Sequence, residues 1–179
     1  MVFLGDSITQ GIPKKNNPFA KYFVGLSSIN LGIGADRIEH VLYRLRNDQL
    51  GNLNPRLVVL HIGINNIGIH KPRTIANGIY NLVLEINRQR PSARVLVVGL
   101  LPTQAKRTKM RRKIRQVNDY LQLLDNLSYV EFHDSSRAFI SGDQSISERL
   151  LYDGIHPTAK GYRVWANDVG PVIKDLLQI

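Results

Sequence analysis

The sequence predicts a three-layer α/β/α fold, in which a parallel five-stranded sheet lies between two layers of helices. Short β-rich runs alternate with segments of helical periodicity. The two middle runs, 57–62 and 94–100, are almost continuously apolar, which is typical of parallel strands covered on both faces. No repeat or Pro/Gly-rich linker divides the 179 residues. We therefore expect a single domain over residues 1–179.

Five segments are strand candidates. In chain order they are residues 2–4, 28–31, 57–62, 94–100 and 129–133. Alternation with helices predicts right-handed crossovers, and five strands favour the flavodoxin-like order 2-1-3-4-5. Ligands of such sheets bind beyond the carboxyl ends of the strands, near the point where the strand order reverses. Functional residues are therefore expected directly after the strands.

The segments between the strands carry apolar residues at helical spacing, which predicts amphipathic helices covering the sheet. The four stripes are Ile38, Val41, Leu42 and Leu45; Ile75, Ile79, Leu82, Val83 and Ile86; Ile114, Val117, Leu121 and Leu124; and Tyr162, Trp165, Ala166 and Val169. Pro72 suits the first turn of the second helix. Pro171 is expected to kink or interrupt the last one.

The net charge of +10 comes largely from one segment. Between positions 106 and 115 there are seven cations and no acid: Lys106, Arg107, Lys109, Arg111, Arg112, Lys113 and Arg115. The other 17 cations nearly balance the 14 acids. A solvated loop and first helical turn is the favoured interpretation. The alternative is that this basic segment attracts an anionic surface or nucleic acid.

Composition excludes several classes of protein. Without cysteine there is no disulfide framework and no thiol chemistry. The apolar runs are too short to span a bilayer. The chain enters polar residues within five positions of Met1, so we expect no signal peptide and a cytoplasmic location.

The first motif, Gly5-Asp6-Ser7, follows the first strand. Gly5 allows the chain to turn sharply out of the sheet. Ser7 then stands where a helix should begin, with its hydroxyl and its N–H directed into the crevice. The alternative is that Asp6 or Ser7 only caps that helix.

The second motif spans residues 30–36 and follows the second strand. Gly32 and Gly34 indicate a backbone that bends close to a ligand and offers N–H groups to an anion. An ordinary glycine-rich turn, with Asp36 capping the next helix, is the favoured interpretation of this motif alone.

The third motif, Gly63-Ile64-Asn65-Asn66, follows the third strand. A side-chain amide at this position can donate to a developing oxyanion. Two adjacent asparagines are also common in turns, so the motif is weak on its own.

The fourth motif pairs Asp153 with His156 shortly before the last helix. The carboxylate can accept a hydrogen bond from Nδ1–H of the imidazole, which leaves Nε2 free to take a proton from a serine. A surface turn with a solvated histidine is the alternative. His133 and Asp134 form the only rival pair, but adjacent residues lie on opposite sides of a strand.

Together the motifs are more specific than any one alone, and the sequence resembles the GDSL or SGNH family of serine esterases over nearly its whole length. Gly5-Asp6-Ser7 resembles the first block of the family, Gly63-x-Asn65-Asn66 the third and Asp153-x-x-His156 the last. Segments 30–34, 41–45 and 99–102 are most similar to the catalytic subunits of brain-type platelet-activating-factor acetylhydrolase and their bacterial relatives.

The resemblance implies a role for each site residue. Ser7 would be the nucleophile, His156 the general base and then acid, and Asp153 the group that orients the imidazole. The oxyanion hole would comprise the N–H groups of Ser7 and Ala35 and the side chain of Asn65. The supporting residues would be Gly5, Asp6, Gly34, Asp36, Gly63 and Asn66. No metal or organic cofactor is implied.

Position 35 departs from the family pattern, which usually has glycine there. Ala35 keeps the backbone donor and adds a Cβ beside the substrate. If the site needs a positive φ at this position, alanine is strained.

The predicted function is hydrolysis of a small-molecule carboxylic ester, with a short acyl group, acetyl in particular, on a lipid or carbohydrate alcohol. One alternative is a binding module that keeps the fold without turnover. The other is a nucleic-acid binder that uses residues 106–115, but no aromatic platform accompanies those cations, so no nucleic-acid partner is expected. The resembled acetylhydrolase subunits dimerise, which leaves a homodimer open.

Overall fold

A parallel five-stranded sheet forms the centre of the fold. The computed structural model describes residues 1–13, 15–22, 24–104, 108–140, 146 and 149–179. The strands are β1 (Val2–Gly5), β2 (Ile29–Asn30), β3 (Leu57–His61), β4 (Arg94–Val98) and β5 (Val130–His133). All pairings are parallel, and the strand order is β2-β1-β3-β4-β5. The predicted fold class and strand order are confirmed.

The central strands are the ones whose sequence is most apolar. Every residue of β3 is buried, and β4 is buried beyond its first residue. The register pairs Val58 with Val2 on one side and with Val95 on the other. Because both faces are covered by helices, these strands need no alternation of polar and apolar residues.

Several strands end earlier than predicted. β2 is an edge strand and has only two residues instead of four, although the N–H groups of Leu31 and Ile33 beyond it still donate to the Phe3 and Gly5 carbonyls of β1. β3 stops at His61, since Gly63 adopts a φ of 125° and directs the chain out of the sheet. β4 stops at Val98 rather than continuing to Leu100.

The helices form the two outer layers. They are α1 (Ser7–Gln10), α2 (Ile38–Arg46), α3 (Pro72–Gln89), α4 (Thr108–Leu121), α5 (Ser136–Phe139) and α6 (Ala159–Leu177). Single 3₁₀ turns occur at Ala20–Tyr22, Ile64–Asn66 and Gln122–Asn126. Helices α2, α3 and α4 pack side by side, and α6 packs against β4 and α5. The apolar stripes predicted from the sequence face the core.

Helix α6 continues through Pro171, so the predicted interruption is wrong. Proline removes one backbone hydrogen bond, but buried contacts on either side hold the helix. Val169 and Ile173 are fully buried, and Gly170 lies so close to the Tyr22 ring that a Cβ there would be 2.1 Å from it.

Aromatic rings join β1 and β3 to α6, and on the β1 side Phe3 contacts Phe19 at a centroid distance of 5.4 Å. Trp165 makes edge-to-face contacts with Phe19 and with His61, at centroid distances of 5.3 and 5.0 Å. Burial lowers the pKa of His61 to about 4, so this histidine is a neutral core residue.

None of the helices seen in the described residues has the length and apolar character that crossing a bilayer demands. The single-domain prediction stays a prediction.

Candidate active site

Three side chains from two distant parts of the chain form a line of hydrogen bonds at the carboxyl edge of the sheet. Ser7 Oγ lies 2.8 Å from Nε2 of His156, and Nδ1 of the same ring lies 2.6 Å from Oδ2 of Asp153. An ionised carboxylate only accepts, so Nδ1 carries the proton and Nε2 accepts from the serine hydroxyl. The imidazole is therefore held in the tautomer that can remove a proton from Ser7.

The turn after β1 fixes the position of Ser7. A Cβ on Gly5 would lie 2.0 Å from the His61 carbonyl oxygen, so only glycine permits this close approach of β1 to β3. Asp6 Oδ1 accepts from the N–H of Ile8 at 3.0 Å and caps α1. Ser7 is the first residue of α1, as predicted, and its own N–H has no acceptor among the described residues.

Asp153 is held ionised by the loop that carries it. Its Oδ1 accepts from the N–H groups of Ile155 and His156, at 2.9 and 2.8 Å. Partial burial opposes ionisation, but these bonds and the bond from the His156 ring together lower the pKa of Asp153 to about 2. The carboxylate can therefore orient the imidazole at any pH near neutrality.

Asp6 has the opposite environment. It is fully buried, and its Oδ2 has no hydrogen-bond partner among the described residues. Burial raises the pKa of Asp6 to about 7, against the opposing effects of the Ile8 N–H and of positive charge on His156. Near neutral pH this carboxyl group therefore carries only part of a negative charge, which limits its repulsion of an anion forming beside Ser7.

Gln104, which follows β4, clamps the loop that carries Asp153 and His156. Its backbone N–H donates to the Gly154 carbonyl at 3.1 Å, and its side chain donates to the Leu151 carbonyl, also at 3.1 Å. Gly154 has a φ of 85°, and a Cβ there would lie 3.0 Å from the Gln104 side chain. Gln104 could not be predicted from the sequence, because nothing in its local pattern indicates a partner 50 residues away.

Potential oxyanion donors come from the ends of β1, β2 and β3. The Asn65 side chain donates to the Asp36 carbonyl at 2.8 Å, which uses one of its two N–H bonds. The N–H of Ala35, like that of Ser7, has no acceptor among the described residues. The N–H of Ile33 donates to the Gly5 carbonyl at 3.1 Å and holds the loop after β2 against the turn that carries Ser7.

A family model matches most of the chain. Residues 3–164 match the model of the GDSL-like lipase/acylhydrolase family. The chain belongs to this family. It is a carboxylic ester hydrolase.

The human platelet-activating factor acetylhydrolase IB subunits are relatives of this acylhydrolase. Subunit alpha2 is 34% identical over 179 residues, which cover 99% of this chain and 77% of that protein. Subunit alpha1 is 36% identical over 163 residues, which cover 90% and 70%. Among solved structures, a GDSL-like lipase from Bacteroides thetaiotaomicron superposes with a TM-score of 0.79 at 23% identity, covering 97% of this chain and 87% of that chain. This last likeness shows the fold alone.

Ala35 adopts the left-handed conformation, with a φ of 62°. The residue is exposed, and it lies in the loop that brings the second N–H donor to the site. Outside glycine this conformation costs about 1–2 kcal/mol. Ala35, at the position where the resemblance implies glycine, is therefore a strained residue in the loop that follows β2.

We expect Ala35→Gly to raise the free energy of unfolding by up to about 1 kcal/mol. Relief of the left-handed strain exceeds the stabilisation that the more flexible unfolded chain gains from glycine, about 0.4–1 kcal/mol. Urea denaturation measures the change. Ala159→Gly, in the first turn of α6, is the matched control and should destabilise the protein. If both substitutions destabilise equally, Ala35 is not strained.

Asp36 and Asn66 support the site through helix α2. Asp36 Oδ2 accepts from Nε of Arg44 at 3.0 Å, and the residue that caps α2 is Arg37. The alternative in which Asp36 caps the helix is therefore wrong. Asn66 Oδ1 accepts from the N–H of Ile38 at 3.1 Å, so this amide holds the start of α2 and is occupied by that role.

The other two supporting glycines, Gly63 and Gly34, lie in the loops that follow β3 and β2. Gly63 provides the positive φ that turns the chain from β3 towards Asn65. A Cβ on Gly34 would lie 3.0 Å from the side-chain oxygen of Gln10, a contact that a small movement of this flexible side chain would relieve.

His133 and Asp134 do not pair with each other. His133 Nε2 lies 2.8 Å from Asp168 Oδ2 on α6, and this bond raises the pKa of His133. Asp134 instead accepts from the N–H of Ser136 at 2.9 Å. These groups join β5 to α5 and α6, away from Ser7.

The basic segment is only partly described, because Lys106 and Arg107 lie outside the described residues. Lys109, Arg112 and Arg115 are exposed on α4. Lys113 instead donates to the carbonyl of Ile67 at 2.9 Å and stabilises the loop that follows Asn65. Attraction of an anionic surface stays a prediction.

In the part of the chain that the structure describes, no three His, Asp or Glu side chains converge as a metal site requires.

Proposed function

We propose that the protein hydrolyses short-acyl carboxylic esters, acetyl esters in particular, of a lipid or carbohydrate alcohol, and that it does so through an acyl-enzyme on Ser7. The observation that carries this proposal is the continuous line of hydrogen bonds from Asp153 through His156 to the Ser7 hydroxyl. Membership of the acylhydrolase family supplies the reaction class.

Acylation begins when Ser7 Oγ attacks the ester carbonyl carbon. His156 Nε2 accepts the hydroxyl proton, and the imidazolium is stabilised by the ionised Asp153. The carbonyl oxygen becomes an oxyanion that accepts from the N–H groups of Ser7 and Ala35 and from the Asn65 amide. His156 then donates its proton to the leaving alcohol as the ester C–O bond breaks.

Deacylation repeats these steps with water as the nucleophile. His156 removes a proton from water, and the resulting oxygen attacks the acyl carbon. The same three donors hold the second oxyanion. The bond to Ser7 Oγ breaks, the proton returns to the serine, and the carboxylic acid leaves.

Two features support a short acyl group. Two relatives that are 34% and 36% identical carry the name acetylhydrolase. In addition, Ala35 places a methyl group beside the proposed oxyanion hole, where the family usually has only hydrogen, so the space next to the acyl carbon is reduced.

We expect kcat/KM to fall at least about tenfold from p-nitrophenyl acetate to p-nitrophenyl octanoate, since a restricted site loses transition-state contacts with a longer chain. Initial rates with esters of two to eight acyl carbons, each divided by its rate of hydroxide hydrolysis, measure the trend. Ser28→Ala, an exposed serine remote from the site, should keep the same trend. A preference for octanoate would contradict the short-acyl proposal and leave the esterase assignment intact.

A further inference from the structure

An exposed tyrosine ring lies next to the imidazole of the proposed triad, nearly parallel to it. The rings of Tyr152 and His156 are nearly parallel, with an interplanar angle of 18° and centroids 5.7 Å apart. Tyr152 is nevertheless 68% exposed. Little of this aromatic side chain is used for packing, and its described ring contact is with His156.

The backbone of the loop enforces this contact. The N–H of Tyr152 donates to the His156 carbonyl at 3.0 Å, and a β-bridge joins Leu151 to Pro157 on the far side of both residues. The Gln104 side chain also donates to the Leu151 carbonyl. These bonds hold Tyr152 and His156 opposite each other in a narrow loop. The near-parallel arrangement of their rings does not depend on the tyrosine hydroxyl.

We infer that Tyr152 is a positioning residue that holds the His156 imidazole in plane and stabilises its positively charged form. An aromatic face within about 6 Å of a cation attracts it through the ring quadrupole. The imidazole becomes a cation in both transition states of the proposed mechanism, when it holds the proton from Ser7 or from water. The inference rests on the proposed function and adds a residue that the family motifs do not contain.

Other groups also act on the charge of the ring. Among the described residues they are Asp153 on the same loop, Asp6 at the turn after β1, and the Ser7 hydroxyl on Nε2. Asp153 stays ionised near neutral pH, whereas Asp6 titrates there. The effect of Tyr152 must therefore be separated from the ionisation of Asp6.

The test compares Tyr152→Leu, which removes the aromatic face, with Tyr152→Phe, which keeps it. In Tyr152→Leu we expect kcat to fall about three- to fivefold with KM within about twofold of wild type. The acid limb of its kcat/KM profile should move about 0.5 pH unit lower, because the charged imidazole has lost stabilisation. Tyr152→Phe should match wild type in both respects. The shift should recur in an Asp6→Asn background, which removes that second titration.

A second readout does not depend on turnover. NMR titration of the His156 ring in the Ser7→Ala background should show a lower midpoint with Tyr152→Leu and an unchanged one with Tyr152→Phe. An unchanged midpoint in both variants would overturn the inference, even if Tyr152→Leu were less active. Full activity of Ser7→Ala would instead overturn the proposed function, so the two failures are distinguishable.

Discussion

Ser7→Ala is expected to lower kcat by about 10⁴–10⁶-fold while the protein remains folded. The proposed mechanism needs an oxygen nucleophile 2.8 Å from Nε2 of His156, and alanine removes it. The hydroxyl makes its described hydrogen bond only with that ring, so its loss leaves no other described polar group unsatisfied. Steady-state kinetics with p-nitrophenyl acetate, together with circular dichroism and thermal unfolding, measure both parts of this prediction.

Two controls make the result specific to position 7. Ser28→Ala should keep wild-type activity. A fluorophosphonate probe should add one adduct to the wild-type protein at Ser7 and none to Ser7→Ala, because an unactivated serine does not react. A folded Ser7→Ala protein that retains turnover above about 10% would remove Ser7 from the mechanism. A wild-type protein that is neither labelled nor active would instead favour the alternative of a binding module without turnover.

The parts of the fold that could be predicted are those determined by local pattern and chain topology. The apolar runs of β3 and β4 identified a buried parallel sheet, and strand–helix alternation indicated its order. The extent of β2 could not be predicted, because this edge strand has one neighbour and the chain that follows it stays hydrogen-bonded to β1 as a loop. The same applies to Pro171, whose local effect is outweighed by buried contacts along α6.

The candidate site shows the same division. Ser7 follows the end of β1 and the Asp153–His156 pair precedes the last helix, and hydrogen bonds join these three side chains in the structure. The role of Asn65 as an oxyanion donor stays a prediction. Gln104 and Tyr152 gave no such signal, because each acts through a contact that depends on the folded loop before α6. Lys113 is a further case. It belongs to a run of cations, but its ammonium group is directed to backbone carbonyls that only the fold brings near.

Asp153 and Asp6, the two aspartates near His156, have different pKa values because their surroundings differ. Asp153 accepts three hydrogen bonds and has a pKa of about 2, while Asp6 is buried with one oxygen unpartnered and has a pKa of about 7. The proposed mechanism uses this difference, since a permanent charge is needed behind the imidazole and a second full charge beside the oxyanion would oppose catalysis. The sequence shows two aspartates but not the burial that distinguishes them.

Asn65→Ala is expected to lower kcat by about 10²–10³-fold with KM within about threefold of wild type. In the free protein one amide N–H of Asn65 donates to the Asp36 carbonyl, and the proposed mechanism assigns the other to the oxyanion on the acyl carbon attacked by Ser7. That second bond reaches full strength only when the carbonyl oxygen becomes negative, so its loss raises the barrier without weakening substrate binding. Asn65→Asp should be at least as inactive, because a carboxylate of the same shape cannot donate and repels the oxyanion.

Substitution of the neighbouring Asn66 distinguishes an effect on catalysis from an effect on stability. Asn66→Ala removes the acceptor for the Ile38 N–H at the start of α2, so it should lower the free energy of unfolding by about 1 kcal/mol and kcat by less than tenfold. Asn77→Ala, exposed on α3, should change neither quantity. If Asn65→Ala loses less than about threefold in kcat, its amide only holds the Asp36 carbonyl. The oxyanion would then depend on the two backbone donors, and the strained Ala35 would become the more important of the two positions.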